Sequence, residues 1–139
     1  MLMHLALLMK KFQVLSMKAE LLLKAFKNIL YSRLLEKKMT AMQRHGQIGT
    51  YAGCAGQEAL YTGLGLAMKP EDCYVPYYRD QPALMLRGYQ PIDFMRYWGG
   101  DERGNTIGND FPICVPIATQ TLHAAGAAFA LLQLKHSSI

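Results

Sequence analysis

The sequence predicts an α/β fold that is mostly helical, and three observations predict it. Residues 18–44 carry neither glycine nor proline and are rich in strong helix formers. Residues 73–79, Cys-Tyr-Val-Pro-Tyr-Tyr-Arg, read as a short strand running into a loop, with Pro76 arguing against a central place in a sheet. After Pro116 a further helix reaches to about Lys135, and its run Ala124-Ala125-Gly126-Ala127-Ala128 has almost no side-chain bulk. A chain of 139 residues holds one domain with a real hydrophobic core. We divide it into an N-terminal extension, 1–17, and the domain, 18–139.

Taken in order, residues 1–9 are apolar but too short to span a bilayer, and no clean cleavage site follows them. Met17 is a sensible alternative start. In the run 18–44, Leu22, Leu23, Phe26, Ile29, Leu30 and Leu34 fall on one face at helical spacing, and beyond them the stripe drifts to Leu35, Met39 and Met42, as in a helix that serves as core or subunit contact. Ser16 is a candidate cap for its start, Glu20 and Lys24 form an i,i+4 pair, and His45-Gly46 ends it. Glycines 46, 49, 53 and 56 then make a loop whose backbone can approach other groups closely. It fits neither Walker nor GxGxxG spacing, so tight packing is favoured over phosphate cradling. A helix over 57–68 follows, in which Gly63 and Gly65 suggest close approach to another element. Glu58 resembles a general acid, yet a carboxylate in a first helical turn is already favoured by the helix dipole.

Asp80 is placed as the N-cap of a short helix that has Pro82 in its first turn and ends at Gly88. Another helix runs from Pro91 through Phe94, Met95 and Trp98 to Gly99-Gly100. Residues 99–112 read as a mobile surface loop. The small-residue helix beyond Pro116 is of the kind normally buried and crossed closely by another backbone.

Composition excludes several classes. Hydrophobic residues make up 51% and charged residues 18%, which excludes a disordered tail. The net charge of +5 comes partly from Lys10, Lys11, Lys18, Lys24 and Lys27, and no nucleic-acid motif accompanies it. Three cysteines, 54, 73 and 114, form no CxxC pair, and the four histidines show no metal spacing against them. This points to reduced thiols in a cytoplasmic setting. A membrane-surface helix over 1–30 is disfavoured because apolar and basic residues are mixed along it.

GQEA (56–59), PEDxxxPYYRD (70–80), RGY (87–89) and PIATQxxHAAGAA (116–128) occur in that order. No one of them is specific alone. Together they resemble the alpha subunit of the pyruvate and branched-chain 2-oxo acid dehydrogenases, from about residue 20 to about 134. The resemblance implies the N-terminal, mostly helical part of a thiamine diphosphate-binding fold, incomplete in this chain. It also implies a beta subunit and a lipoyl-bearing acyltransferase component as partners.

Residue by residue, the resemblance places Tyr78 and Arg79 at the diphosphate, where a guanidinium fork matches phosphate oxygens. From spacing alone, a salt bridge of Arg79 to Asp80 or another carboxylate is favoured instead. Val115 and Ile117 match the loop against the aminopyrimidine ring, although without the resemblance both read as core. No catalytic residue and no metal ligand is assigned. The family's Gly-Asp-Gly segment and later Asn, which hold magnesium, fall after the point where this sequence stops. Gln81 stands where some members have His, and 99–112 has no His. The expectation is therefore a piece of a dehydrogenase alpha subunit that does not decarboxylate a 2-oxo acid by itself. The alternative is an inactive truncated product, at most an interaction remnant.

Overall fold

In a computed structural model we describe residues 2–105 and 108–134, with side chains at 16 and from 18 onward. Five α-helices are present among the described residues: α1 (Leu2–Arg44), α2 (Glu58–Ala67), α3 (Gln81–Leu86), α4 (Pro91–Trp98) and α5 (Thr119–Gln133). A 3-10 turn, Glu102–Gly104, follows α4. No strand forms among the described residues, so the α/β character expected from 73–79 is not seen here.

The reason is local. The segments 74–77 and 111–114 do run side by side: Phe111 N–H donates to Tyr74 O (2.8 Å), and Tyr77 and Cys114 form a single parallel bridge. A longer ladder would need donors that are missing. Pro76 and Pro112 have no N–H, and the N–H of Tyr77 is taken by the Asp80 carboxylate (2.6 Å).

Helix α1 begins at Leu2 and passes Ser16 unbroken, so Ser16 is inside the helix rather than its cap. It ends as expected at His45-Gly46. Gly46 takes φ +69°, Gln47 N–H donates to Met42 O (2.9 Å) and Gly46 N–H to Gln43 O (3.0 Å), the paired bonds of a Schellman cap.

The buried face of α1 is the later part of the expected stripe and not the earlier part. Leu22 and Phe26 are 69% and 63% exposed, whereas Ser32, Leu35 and Met39 are buried. The helix turns a partly polar line inward because its polar members are satisfied there. Asn28 Nδ2 donates to Thr62 Oγ1 (2.9 Å) on α2 and to Pro82 O (3.0 Å) on α3, and Ser32 Oγ donates to Asn28 O (2.7 Å). Leu35 and Met39 then join Ile48, Leu84, Tyr89, Phe94, Trp98 and Ile113 in the main core.

Helices α2 and α3 meet closely at Gly65, where a Cβ would lie 3.0 Å from Ala83 Cα. Gly63 meets nothing within 4 Å, so close approach accounts for only one of these two glycines. Asp80 sits at the N-cap position of α3, but its side chain does not cap the helix. Pro91 opens α4, and Asp93 accepts from Gln90 N–H (2.8 Å).

The described residues of the 99–112 segment are pinned at several points, and 106–107 lie outside the described residues. Gly104 lies against α4, with no room for a Cβ beside Asp93 O. Tyr89 Oη donates to Asn105 O (2.9 Å), and Asn105 Oδ1 accepts from Ile113 N–H (2.7 Å). Arg87 Nε and one terminal nitrogen reach Asp110 at 2.5 and 2.6 Å, with both side chains almost wholly buried. Asp110 also accepts from Tyr74 N–H (3.0 Å). Removing one member of such a buried pair costs about 3–5 kcal/mol.

Helix α5 departs furthest from expectation. None of its residues is buried, and Gly126 has open space around it. Its first turns are held by Gln120 Nε2 donating to Cys114 O (2.6 Å) and by a Phe111–His123 ring stack.

Candidate functional site

The parallel bridge between Tyr77 and Cys114 fixes the centre of the site. It joins two segments that the sequence separates by more than thirty residues, one turning through Tyr78-Arg79 directly after the bridge and the other continuing into Val115. Tyr78 and Arg79 do not line the cleft that Val115 lines. Arg79 is half-buried, and its guanidinium carbon lies 5.1 Å from the Tyr78 ring centroid, within cation–π range. One Nη donates to the carbonyl of Gly53. No carboxylate among the described residues pairs with Arg79, so the salt bridge that spacing alone favoured is not formed.

Asp80 points the other way. Tyr74 Oη and Tyr77 N–H both donate to its Oδ2, while Oδ1 has no partner. Burial pushes this carboxyl above the ordinary aspartate value, and the bonds from Tyr74 and Tyr77 do not offset it.

Val115 lines an open cleft of about 490 Å³, together with Thr50, Tyr97, Trp98, Asn105 and Cys114. The cleft mixes aromatic walls with backbone groups, a lining suited to a flat ring. Ile117 is 78% exposed and does not line it. The next residue, Ala118, adopts φ +68°, which turns the chain into α5. Both Val115 and Ile117 are exposed, so neither is the core residue that hydrophobicity alone suggested.

The glycine loop is bound up by polar side chains. Glu36 Oε2 accepts from Tyr51 Oη (2.9 Å) and Cys54 N–H (2.8 Å). Gln81 Nε2 donates to Ala52 O (3.2 Å), and its Oε1 lies 3.1 Å from Tyr51 Oη. Burial and the neighbouring Glu36 raise Tyr51 far above an ordinary phenol, so the hydroxyl stays a donor. Cys54 is buried and pushed up to about 12 by burial and by the carboxylates of Glu36 and Glu58, which leaves it a poor nucleophile. Of the four glycines, Gly53 is packed tightly, against the Glu36 carboxylate, whereas Gly46 and Gly56 have nothing within 4 Å of a built Cβ.

Glu58 is buried and tied to Arg33 at 2.6 Å, and it accepts from Gly56 N–H (2.9 Å). Burial acts to raise its carboxyl, but these bonds hold it below the usual glutamate value, the wrong direction for a general acid at neutral pH. No group of His, Cys, Asp and Glu among the described residues is arranged to hold a metal ion.

Glu36 and Tyr51 were missed as site residues by sequence reasoning, and Gln81 was noted only as standing where some members of the resembled family have His. The available signal was Glu36 itself, the lone acid between Tyr31 and Arg44 on α1, placed beside the buried Leu35.

Comparison with known proteins matches residues 27–139 to the family described as the dehydrogenase E1 component. The chain belongs to that family. It is 34% identical over 111 residues to a Mycoplasma genitalium protein named pyruvate dehydrogenase E1 component subunit alpha, covering 78% of this chain and 31% of that one. It is 37% identical over 114 residues to the protein of the same name from Acholeplasma laidlawii, covering 80% of this chain and 33% of that one. A Mycobacterium tuberculosis protein named 3-methyl-2-oxobutanoate dehydrogenase subunit alpha is 33% identical over 117 residues, with 82% and 32% covered. The chain therefore spans about a third of the length of these E1 relatives.

Proposed function

We propose that this E1 chain provides the diphosphate-binding and ring-binding portion of a thiamine diphosphate-dependent 2-oxo acid dehydrogenase alpha subunit. The observation that carries the reading is Arg79, held half-buried on the Gly53 carbonyl with no carboxylate partner among the described residues, in a segment that the Tyr77–Cys114 bridge joins to the one bearing the cleft residue Val115. In this reading Arg79 and Tyr78 meet the diphosphate, and Val115 shapes one wall against the aminopyrimidine. Ile117 joins that wall only if its exposed side chain is turned in when the cofactor binds. When bound, the cofactor supplies the carbon nucleophile and the electron sink for decarboxylation. The chain's own share is to bind phosphate oxygens, seat the ring and keep water from it.

The substrate class is a 2-oxo acid, because relatives named for pyruvate and for 3-methyl-2-oxobutanoate match at 34% and 33% identity. A beta subunit and a lipoyl-bearing acyltransferase act with the chain, in the cytoplasm, and no helix among the described residues is long and apolar enough to cross a membrane. Magnesium would bridge the diphosphate, with ligands that are not assigned among the described residues.

The test is a thiamine diphosphate titration of the chain with a beta subunit from the same source, comparing native protein with Arg79→Ala. Losing a charge-assisted hydrogen-bonding group costs roughly 1.5–3 kcal/mol, so affinity is expected to fall by about one to two decades. Equal titration curves for the two proteins would remove Arg79 from the cofactor and leave it a loop anchor.

A further inference from the structure

The Arg79 guanidinium is aimed by a carbonyl, and that carbonyl belongs to a loop with a handle of its own. All four residues of the Tyr51–Cys54 segment carry a polar tie: the hydroxyl of Tyr51, the carbonyl of Ala52, the carbonyl of Gly53 and the N–H of Cys54. Glu36 makes two contacts with this segment through Oε2. Its other oxygen fills the space where a side chain on Gly53 would go, since a Cβ built there would sit 1.9 Å from Oε1. The carboxylate is therefore packed against the very residue whose carbonyl receives Arg79. Gln81, buried at the start of α3, closes the arrangement from the opposite side.

We propose that Glu36 is a positioning residue for Arg79, setting the Gly53 carbonyl so that the guanidinium is held ready for a diphosphate. The inference rests on the diphosphate reading of Arg79 and adds the residue that orients it. Electrostatics alone argues for the opposite effect. A carboxylate near an anion-binding arginine opposes the anion, so deleting its charge should tighten binding. Positioning through hydrogen bonds makes deletion weaken binding instead. The two accounts separate at glutamine, which lacks the charge but offers one oxygen able to accept from both Tyr51 and Cys54.

The experiment is an NMR titration of the full chain with inorganic pyrophosphate and with thiamine diphosphate, following the Arg79 Nε–H resonance. Glu36→Ala is expected to shift that resonance before any ligand is added and to weaken both ligands about tenfold. Glu36→Gln should stay within about twofold of the native chain. The double variant Glu36→Ala/Arg79→Ala should bind no more weakly than Arg79→Ala alone, because both changes break one connection. Should Glu36→Ala fail to fold, Gly53→Ala displaces the same carboxylate and is expected to reproduce the loss. Unchanged or tighter binding in Glu36→Ala, or losses that add in the double variant, would overturn the proposal. If Arg79→Ala itself binds both ligands normally, the diphosphate reading fails. The Glu36 link is then decided by the ligand-free Arg79 resonance, which must move with Ala and not with Gln.

Discussion

At the scale of single residues, Asp80 shows how a side chain next to the site can set a pH dependence without touching a ligand. It is 3% exposed, one of its oxygens has no partner, and burial raises its pKa above the ordinary 3.8. A carboxyl with a raised folded-state value binds its proton more tightly folded than unfolded. Its contribution to stability is therefore largest below the unfolded pKa and declines as pH rises through the folded one. Replacing it by Asn removes that slope while leaving an oxygen to accept from Tyr74 and Tyr77. Thermal melts of the native chain and Asp80→Asn should diverge in that sense from about pH 4 upward. Parallel curves would show that Asp80 titrates normally. Tyr78 and Arg79 are proposed for the diphosphate because a motif names them together. The partner of Arg79 was not legible, because the Gly53 carbonyl is a backbone atom that every residue possesses. Glu36 was illegible for a similar reason: its importance lies in what it faces across 15 to 18 residues of chain.

At the scale of elements, α2 contains a built-in comparison. Gly63 and Gly65 share a helix, and each lowers its intrinsic stability by about 1 kcal/mol relative to Ala. Only Gly65 faces backbone, with Ala83 Cα and the Leu86 Cδ1 methyl both 3.0 Å from a built Cβ. Gly63→Ala should raise the unfolding free energy by about 0.5–1 kcal/mol, since nothing stands in its way. Gly65→Ala should lower it, because pushing α3 away costs about 1–3 kcal/mol and outweighs the propensity gain. Similar denaturation midpoints for the two variants would mean that α2 and α3 separate easily. The positions of α2, α3 and α4 were legible from glycine and proline punctuation. The facing of α1 was legible only in part. Periodicity picks out Leu35, Met39 and Met42, which do meet the core, but the more hydrophobic stripe before them looks outward while Asn28 and Ser32 turn inward to bond α2, α3 and their own helix. The strand expected at 73–79 was lost to prolines on both segments, a pairing visible only once 111–114 lies beside it.

At the scale of the whole molecule, two apolar surfaces are open to solvent. On α1 they are Leu22, Leu23, Phe26, Leu30 and Leu34, and on α5 they are Leu122, Phe129, Leu132 and the adjoining Leu134. The small residues of α5 promised a helix crossed by another backbone, and no described element crosses it. Contiguous apolar surface of this kind drives self-association at micromolar concentration. The purified chain is expected to bind an apolar fluorescent dye while folded and to elute as a concentration-dependent mixture of sizes. Leu122 and Phe129 are seven residues apart on α5 and both exposed, so changing them to Glu costs little helix propensity. That pair of changes should reduce dye binding and association while leaving the unfolding free energy within about 0.5 kcal/mol, as surface substitutions do. A native chain that stays monomeric and dye-free across the same concentrations would show that these faces cover one another in solution. A pair of Glu changes that unfolded the chain would lead to the same conclusion, since exposed side chains cannot support that much stability.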